Sequence, residues 1–249
     1  MLYNFMLNVS LPIAALIFIL LLFISAPYGR YKHRGWGIAI TSKLAWILME
    51  APSALIFTAL FLLGDVPKSL ILIIFFTMWQ SHYIHRAFIY PLTISDGRNV
   101  VPVVIIIMGI VFNIGNTYIN GTYLFSLSAG YPTTWLTSPQ MLIGSACFIV
   151  GFIINRWADN VLRTLRKPGE MDYKIPHGGL YRWISCPNYF GEIIEWIGWA
   201  IATWSLPGLT FAVWTFANLA PRAHAHHKWY HQNFEDYPAQ RKALIPWVW

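Results

Sequence analysis

Glu50 and Tyr83 are polar side chains of complementary type, each set in an apolar run. A carboxyl group beside a phenol can form a hydrogen-bonded donor pair that polarises a carbonyl oxygen, and an apolar wall such as Trp46 keeps water from competing. The same pair also suits a plain interhelical hydrogen bond, and spacing alone leaves both readings open. A second constellation is Asn155, Asp159, Arg163 and Arg166, whose spacings of four, four and three place them on one helical face. The pattern recurs in Asn188, Glu192, Glu195 and Trp199, and again in Asn218, Arg222, His226 and Tyr230. Arginine clusters match phosphate oxygens, while Asn and Asp fix ribose hydroxyls or an amide. Such faces suit a large, anionic, hydrogen-bonding ligand of the nucleotide-cofactor type; a solvated surface face is the competing reading of any single stripe.

Other chemistries find less support. There is no G-x-G-x-x-G and no G-x-x-x-x-G-K-[ST], so a dinucleotide would have to be held by side chains between helices. His227 and His231 stand four residues apart in a run that includes His224 and His226, but no third ligand falls at a diagnostic offset, and protonatable histidines near a helix end explain the run as well. His82 and His85 fit either packing contacts or haem ligation. Cys147 and Cys186 lack metal-ligand spacing and give no disulfide framework, and no metal site is expected. No Ser, Cys or Asp lies in a nucleophile motif.

The elements that must position these groups are membrane helices. Of 249 residues 57% are apolar and 11% charged, against about a quarter charged in soluble domains. The first 29 residues carry no charge, and Arg30, Lys32 and Arg34 follow the apolar run instead of preceding it, which speaks for a retained span over a cleaved signal. Candidate spans are 11–27, 41–63, 69–91, 100–118, 140–154, 189–205 and 209–220. The last two are separated only by Leu206-Pro207-Gly208, so one kinked helix, giving six spans, is the alternative. Charge favours seven. With the N-terminus outside and the C-terminus cytoplasmic, Lys68 alone of 17 Lys and Arg lies outside, as the positive-inside rule prefers. In that arrangement Glu50 and Tyr83 sit at matching depth on adjacent antiparallel helices, and the polar stripes fall in the cytoplasmic half. The expected fold is all-α, a single membrane-embedded domain over 1–249; the basic excess reflects orientation, and nucleic acid is not an expected partner.

Several longer motifs occur in a recognisable order. They are Tyr28-Gly-Arg30, Ala45-Trp46, Glu50-Ala-Pro-Ser53 and His82-Tyr-Ile-His-Arg86, then Leu165-Arg-Lys-Pro-Gly-Glu170 and Tyr173-Lys-Ile-Pro-His-Gly-Gly-Leu180. Gly191-Glu-Ile-Ile-Glu-Trp-Ile-Gly198, Ala202-Thr-Trp-Ser-Leu-Pro207, Phe234-Glu-Asp-Tyr-Pro238 and Arg241-Lys-Ala-Leu-Ile-Pro246 complete the set. The chain thereby resembles the steroid 5-alpha-reductase family of integral membrane enzymes. The resemblance implies NADPH-dependent reduction of the double bond of a 3-oxo-delta-4 steroid by a seven-helix protein, in the endoplasmic reticulum or a bacterial inner membrane, with no obligate protein partner. It implies Glu50 and Tyr83 as catalytic donors to the 3-oxo oxygen, with Trp46 in the substrate wall. It implies cofactor contacts from Arg30, Arg86, Arg98, Asn155, Asp159, Arg163, Arg166, Tyr173, Asn188, Glu192, His226 and Tyr230. One position departs from the family pattern: Met49 stands where a Gln usually precedes the catalytic Glu.

Three alternatives define what else such a chain can be. A related membrane reductase would act on a sterol or a long-chain enoyl thioester. A methyltransferase of the isoprenylcysteine type would bind S-adenosylmethionine, whose lack of phosphate leaves the arginine cluster unexplained. A lipid carrier or transporter gives no reason for the stripe from Asn155 to Arg166.

Overall fold

In the computed structural model, residues 1–24, 29–31, 35–94, 100–166, 170 and 172–249 are described. Arg98 and Tyr28, with Lys32, Arg34 and Lys167 of the expected cytoplasmic charge, lie outside them. The described chain is mostly helical, as expected: α1 (Leu2–Phe23), α2 (Ser42–Leu63), α3 (Leu70–Ile84), α4 (Tyr90–Thr93), α5 (Val103–Thr122), α6 (Pro139–Thr164), α7 (Pro187–Thr203) and α8 (Leu206–Asn233). Two five-residue π-helical turns continue helices, His85–Ile89 between α3 and α4 and Tyr123–Leu127 after α5. One element went unforeseen: β1 (Ala39–Thr41) pairs antiparallel with β2 (Val100–Pro102). Among the described residues, four helical segments are long and apolar enough to cross a membrane: Leu2–Phe23, Ser42–Leu63, Val103–Leu127 and Pro139–Thr164.

The chain groups into two compact units, Met1–Asn8 with Pro27–Leu142, and Val9–Ala26 with Ile143–Trp249. In the first, an aromatic stack knits the helices. Phe57 of α2 lies parallel to Trp79 of α3 at 4.4 Å between ring centroids and edge-on to Phe125 at 5.0 Å. All three are fully buried. The contacts of Ser53 with Trp79 and of Phe61 with Phe76 run in opposite chain directions, so α2 and α3 are antiparallel. Those of Ser53 with Asn113 and with Thr117, and of Gly121 with Leu60, run the same way, so α5 is parallel to α2.

In the second unit α6 and α7 meet backbone to backbone. A Cβ on Gly144 would collide with the Ala202 nitrogen, one on Gly151 with the Glu195 nitrogen, and one on Gly198 with the Phe148 nitrogen. Small residues at such a contact let helices approach where van der Waals packing, and not the hydrophobic effect, must hold them. α7 then stops at Trp204, left-handed at φ 45, and Ser205 caps α8 by accepting from the Gly208 nitrogen at 3.1 Å. Trp196 of α7 packs on Phe211 of α8 at 4.1 Å. The 189–220 region is therefore two helices folded against each other, not one kinked rod.

Candidate functional site

The first unit brings Glu50 and Tyr83 to the same place through a residue the sequence reading passed over. Asn113 of α5 donates from Nδ2 to the Met49 carbonyl at 2.7 Å and to Glu50 Oε2 at 3.2 Å. Its Oδ1 accepts from Ser53 Oγ at 3.0 Å and from Tyr83 Oη at 3.4 Å. Thr117 Oγ1 donates to Ser53 Oγ at 3.0 Å, which extends the set along α5. Tyr83 and Asn113 are buried, and Glu50 is half-buried. The signal was available: Asn113, Asn116 and Asn120 recur on one face of a helix otherwise apolar, and polar groups at such positions are costly unless used.

Trp46 and Arg86 also meet. The buried Arg86 guanidinium lies 5.2 Å from the Trp46 ring centroid and 5.1 Å from that of Tyr90, and the two rings contact edge-on at 5.2 Å. The π-helical turn carries Arg86, and such turns shift side chains out of regular α register, frequently at functional positions. Met49 turns its sulfur onto Gly109 of α5 and offers Asn113 its carbonyl, so its side chain fills a helix contact. Arg30 sits half-buried in the short turn Gly29–Tyr31. His82 and His85 are buried against Tyr83 and Tyr90.

In the second unit the glycine contact places the first two polar stripes face to face. Asn155 Nδ2 donates to the Asn188 carbonyl at 3.0 Å and to Glu192 Oε2 at 3.1 Å, and Asn188 Nδ2 donates to Asp159 Oδ1 at 3.0 Å. The third stripe joins through Tyr189, another residue not singled out from sequence. Its hydroxyl meets His226 Nε2 at 3.1 Å, and Arg222, bonded to Asn218 Oδ1 at 3.1 Å, stacks 5.3 Å from its ring centroid. Glu195 and Trp199, read as part of the α7 stripe, instead point into the interior and are fully buried.

In the last turn of α6, Arg163 donates to Asn160 Oδ1 at 2.5 Å; the helix ends at Thr164, so Arg166, expected on the same helical face, lies two residues beyond it, with its guanidinium 5.1 Å from the Tyr173 ring centroid. Tyr173 abuts Trp229 at 5.1 Å. Tyr230 is buried and stacked parallel to Tyr237 at 5.0 Å. Acceptors for hydroxyls thus lie on α6 and α7, with guanidinium donors of the kind phosphates take in the last turn of α6 and just past its end. This donor set fits a phosphorylated nucleotide cofactor. The tail adds Arg241, buried, 5.0 Å from the Tyr237 ring centroid and 3.4 Å from His177 Nδ1.

The histidine run serves the tail. Ser185 Oγ lies 2.7 Å from His227 Nδ1 and 2.6 Å from Tyr237 Oη, and Ser185 N donates to the Lys242 carbonyl while Lys242 N donates to the Trp183 carbonyl, which pins the tail around 242 beside 183–185. Among the described residues no group of three or more His, Cys, Asp or Glu side chains could hold a metal ion. Burial, then the charges of His231, His224 and Lys242, push His227 down to about 4. In the unfolded chain its value returns to about 6.5. At pH 7 it is neutral in both states; below about 6.5 the unfolded chain binds a proton that the folded one refuses, so stability falls between about 6.5 and about 4. Discounted for its half-exposed setting, the loss is about 1 kcal/mol. Thermal midpoints in detergent from pH 7.5 to 4.5 are expected to drop, and His227→Gln to flatten part of that slope; parallel slopes for both proteins would refute the assignment.

Comparison with known proteins adds an independent line. A sequence profile described as 3-oxo-5-alpha-steroid 4-dehydrogenase matches residues 99–249. The 3-oxo-5-alpha-steroid 4-dehydrogenase 1 of Bos taurus is 43% identical over 235 residues, covering 93% of this chain and 91% of the relative. That of Rattus norvegicus is 42% identical over 231 residues, covering 90% and 87%. The steroid 5-alpha-reductase DET2 of Gossypium hirsutum is 41% identical over 255 residues, covering 100% and 98%.

Proposed function

The chain belongs to the 3-oxo-5-alpha-steroid 4-dehydrogenase family of membrane oxidoreductases, and from that premise we propose that it reduces the carbon 4–5 double bond of a 3-oxo-delta-4 steroid to the 5-alpha-dihydro product. The observation that carries this reading is the hydrogen-bonded set of Glu50, Asn113 and Tyr83. A protonated carboxyl and a phenol both donate to the 3-oxo oxygen. They draw electron density from the enone, lower the barrier to attack at carbon 5 and stabilise the enolate oxygen that follows; carbon 4 then takes a proton. Trp46 belongs to the apolar wall that keeps water from those donors.

When bound, NADPH would supply the hydride for carbon 5. Asn155, Asp159, Asn188 and Glu192 would take its hydroxyl and amide groups, Arg163 and Arg166 its phosphates, with Tyr173, His226 and Tyr230 as further contacts. The active groups face the cytoplasm and the substrate enters with membrane lipid around it, in keeping with the positive-inside distribution.

The test is NADPH oxidation by the purified protein in nanodiscs with testosterone or progesterone, read together with product identity. Steroid-dependent oxidation giving the 5-alpha-dihydro product is expected; oxidation indifferent to steroid would overturn the reading. Arg166→Ala is expected to raise the KM for NADPH about tenfold, as loss of one charged hydrogen bond does, with kcat little changed. An unaltered KM would remove Arg166 from the phosphate contacts.

A further inference from the structure

Asn113 uses its whole hydrogen-bonding capacity on the two groups assigned to catalysis and on what fixes them. The amide offers two N–H donors and two lone pairs, and four partners take them: the Met49 carbonyl, Glu50 Oε2, Ser53 Oγ and Tyr83 Oη. Its orientation is not interchangeable. A backbone carbonyl only accepts, so the face toward Met49 must carry Nδ2, and Oδ1 is left toward Ser53 and Tyr83. Thr117, donating to Ser53 Oγ, directs the Ser53 proton at Oδ1. Asn113 is 4% exposed and Ser53 and Thr117 are fully buried, so water does not compete for these bonds.

We propose that Asn113 is a positioning residue of the reduction, setting the proton arrangement of Glu50 and Tyr83 toward the substrate oxygen. The proposal rests on the reading of Glu50 and Tyr83 as the donor pair. A neutral carboxyl accepts best at its carbonyl oxygen; an N–H held on Oε2 therefore steers the carboxyl proton to Oε1, the oxygen that then donates to the steroid. The Tyr83 bond to Oδ1, at 3.4 Å, is the longest of the four. Its hydroxyl is held near the amide at rest and gives up little in turning to a carbonyl oxygen, while Ser53 keeps Oδ1 satisfied. A purely structural tie between α2 and α5 needs only the Met49 carbonyl contact and makes no use of the other three.

The experiment measures steroid-dependent kcat per NADPH-binding site against pH for the full chain in nanodiscs, with NADPH affinity determined separately. Asn113→Ala is expected to lower kcat about 10- to 100-fold with unchanged NADPH affinity, the scale on which misplaced catalytic groups act. In the Tyr83→Phe background it is expected to add little, because both changes disable one unit. Asn113→Asp is expected to work best at low pH, where the introduced carboxyl carries a proton to donate, and to lose activity as pH rises. If Asn113→Asp does not fold, Ser53→Ala takes its place, with an expected three- to tenfold fall in kcat. Wild-type kcat and pH profile in these variants, or losses that simply add to that of Tyr83→Phe, would overturn the proposal while leaving the donor pair standing. Unchanged rates in Glu50→Ala and Tyr83→Phe would instead remove the donor pair, and Asn113's role with it.

Discussion

Tyr83→Phe is expected to lower the steroid-dependent rate by about 10²- to 10³-fold and Glu50→Ala by at least as much, both with NADPH affinity intact. The expectation for Tyr83 is clean because the ring and the hydroxyl do separate jobs. The ring is buried and tilted against Trp79 at 4.9 Å, a contact that Phe preserves, while the hydroxyl reaches Asn113 at 3.4 Å. Removing the hydroxyl therefore takes away one donor to the substrate oxygen and leaves the aromatic stack of Phe57, Trp79 and Tyr83 in place. Glu50→Ala removes the carboxyl that accepts from Asn113 Nδ2 at 3.2 Å, and Asn113 keeps its second donor bond, to the Met49 carbonyl at 2.7 Å. The loss should fall on kcat and not on the KM for NADPH, since an interaction made mainly in the transition state shows itself there. Two variants that turn over steroid at the wild-type rate would end the assignment of both residues.

Scarcity made part of this architecture legible. With 10 Asp and Glu in 249 residues, a lone Glu inside an apolar run is conspicuous, and counting from the helix ends pairs it with Tyr83. The stripes on α6 and α7 were legible because their groups are charged or amide and recur at helical spacing, and Asn155, Asp159, Asn188 and Glu192 do join in one network. Asn113 was missed because an uncharged amide barely perturbs an apolar run, although its partners lie 30, 60, 63 and 64 residues away. Gly144, Gly151, Gly191 and Gly198 were missed for a related reason. Glycine within a helix reads as a weak spot in propensity, and its worth lies in what the neighbouring helix needs. The pairing of β1 with β2 and the Ser185–His227 contact link segments distant in sequence with no period to announce them.

Those glycines carry the second large effect. Gly151→Val is expected to lower NADPH affinity at least about tenfold and to destabilise the protein by about 3 kcal/mol or more, because overpacking against backbone has no rotamer through which to relax. The obstacle is the Glu195 nitrogen and Cα together with the Gly191 carbonyl, so α6 and α7 must separate. Asn155 lies one helical turn beyond Gly151, and its bonds to Asn188 and Glu192 at 3.0 and 3.1 Å do not survive a separation of about 1 Å, since side-chain hydrogen bonds fail near 3.6 Å. Gly115→Ala is the control in the other unit. There, among the described residues, a Cβ meets only the Met6 methyl at 3.5 Å, an ordinary contact, and Ala should be neutral or stabilise α5 by up to about 1 kcal/mol through its better helix propensity. Thermal midpoints and NADPH titrations of the two variants separate the roles. If Gly151→Val binds NADPH as the parent does, the amide–carboxylate network of α6 and α7 is not what holds the cofactor; if Gly115→Ala fails as badly as Gly151→Val, the effect belongs to glycine in helices at large and not to the α6–α7 contact.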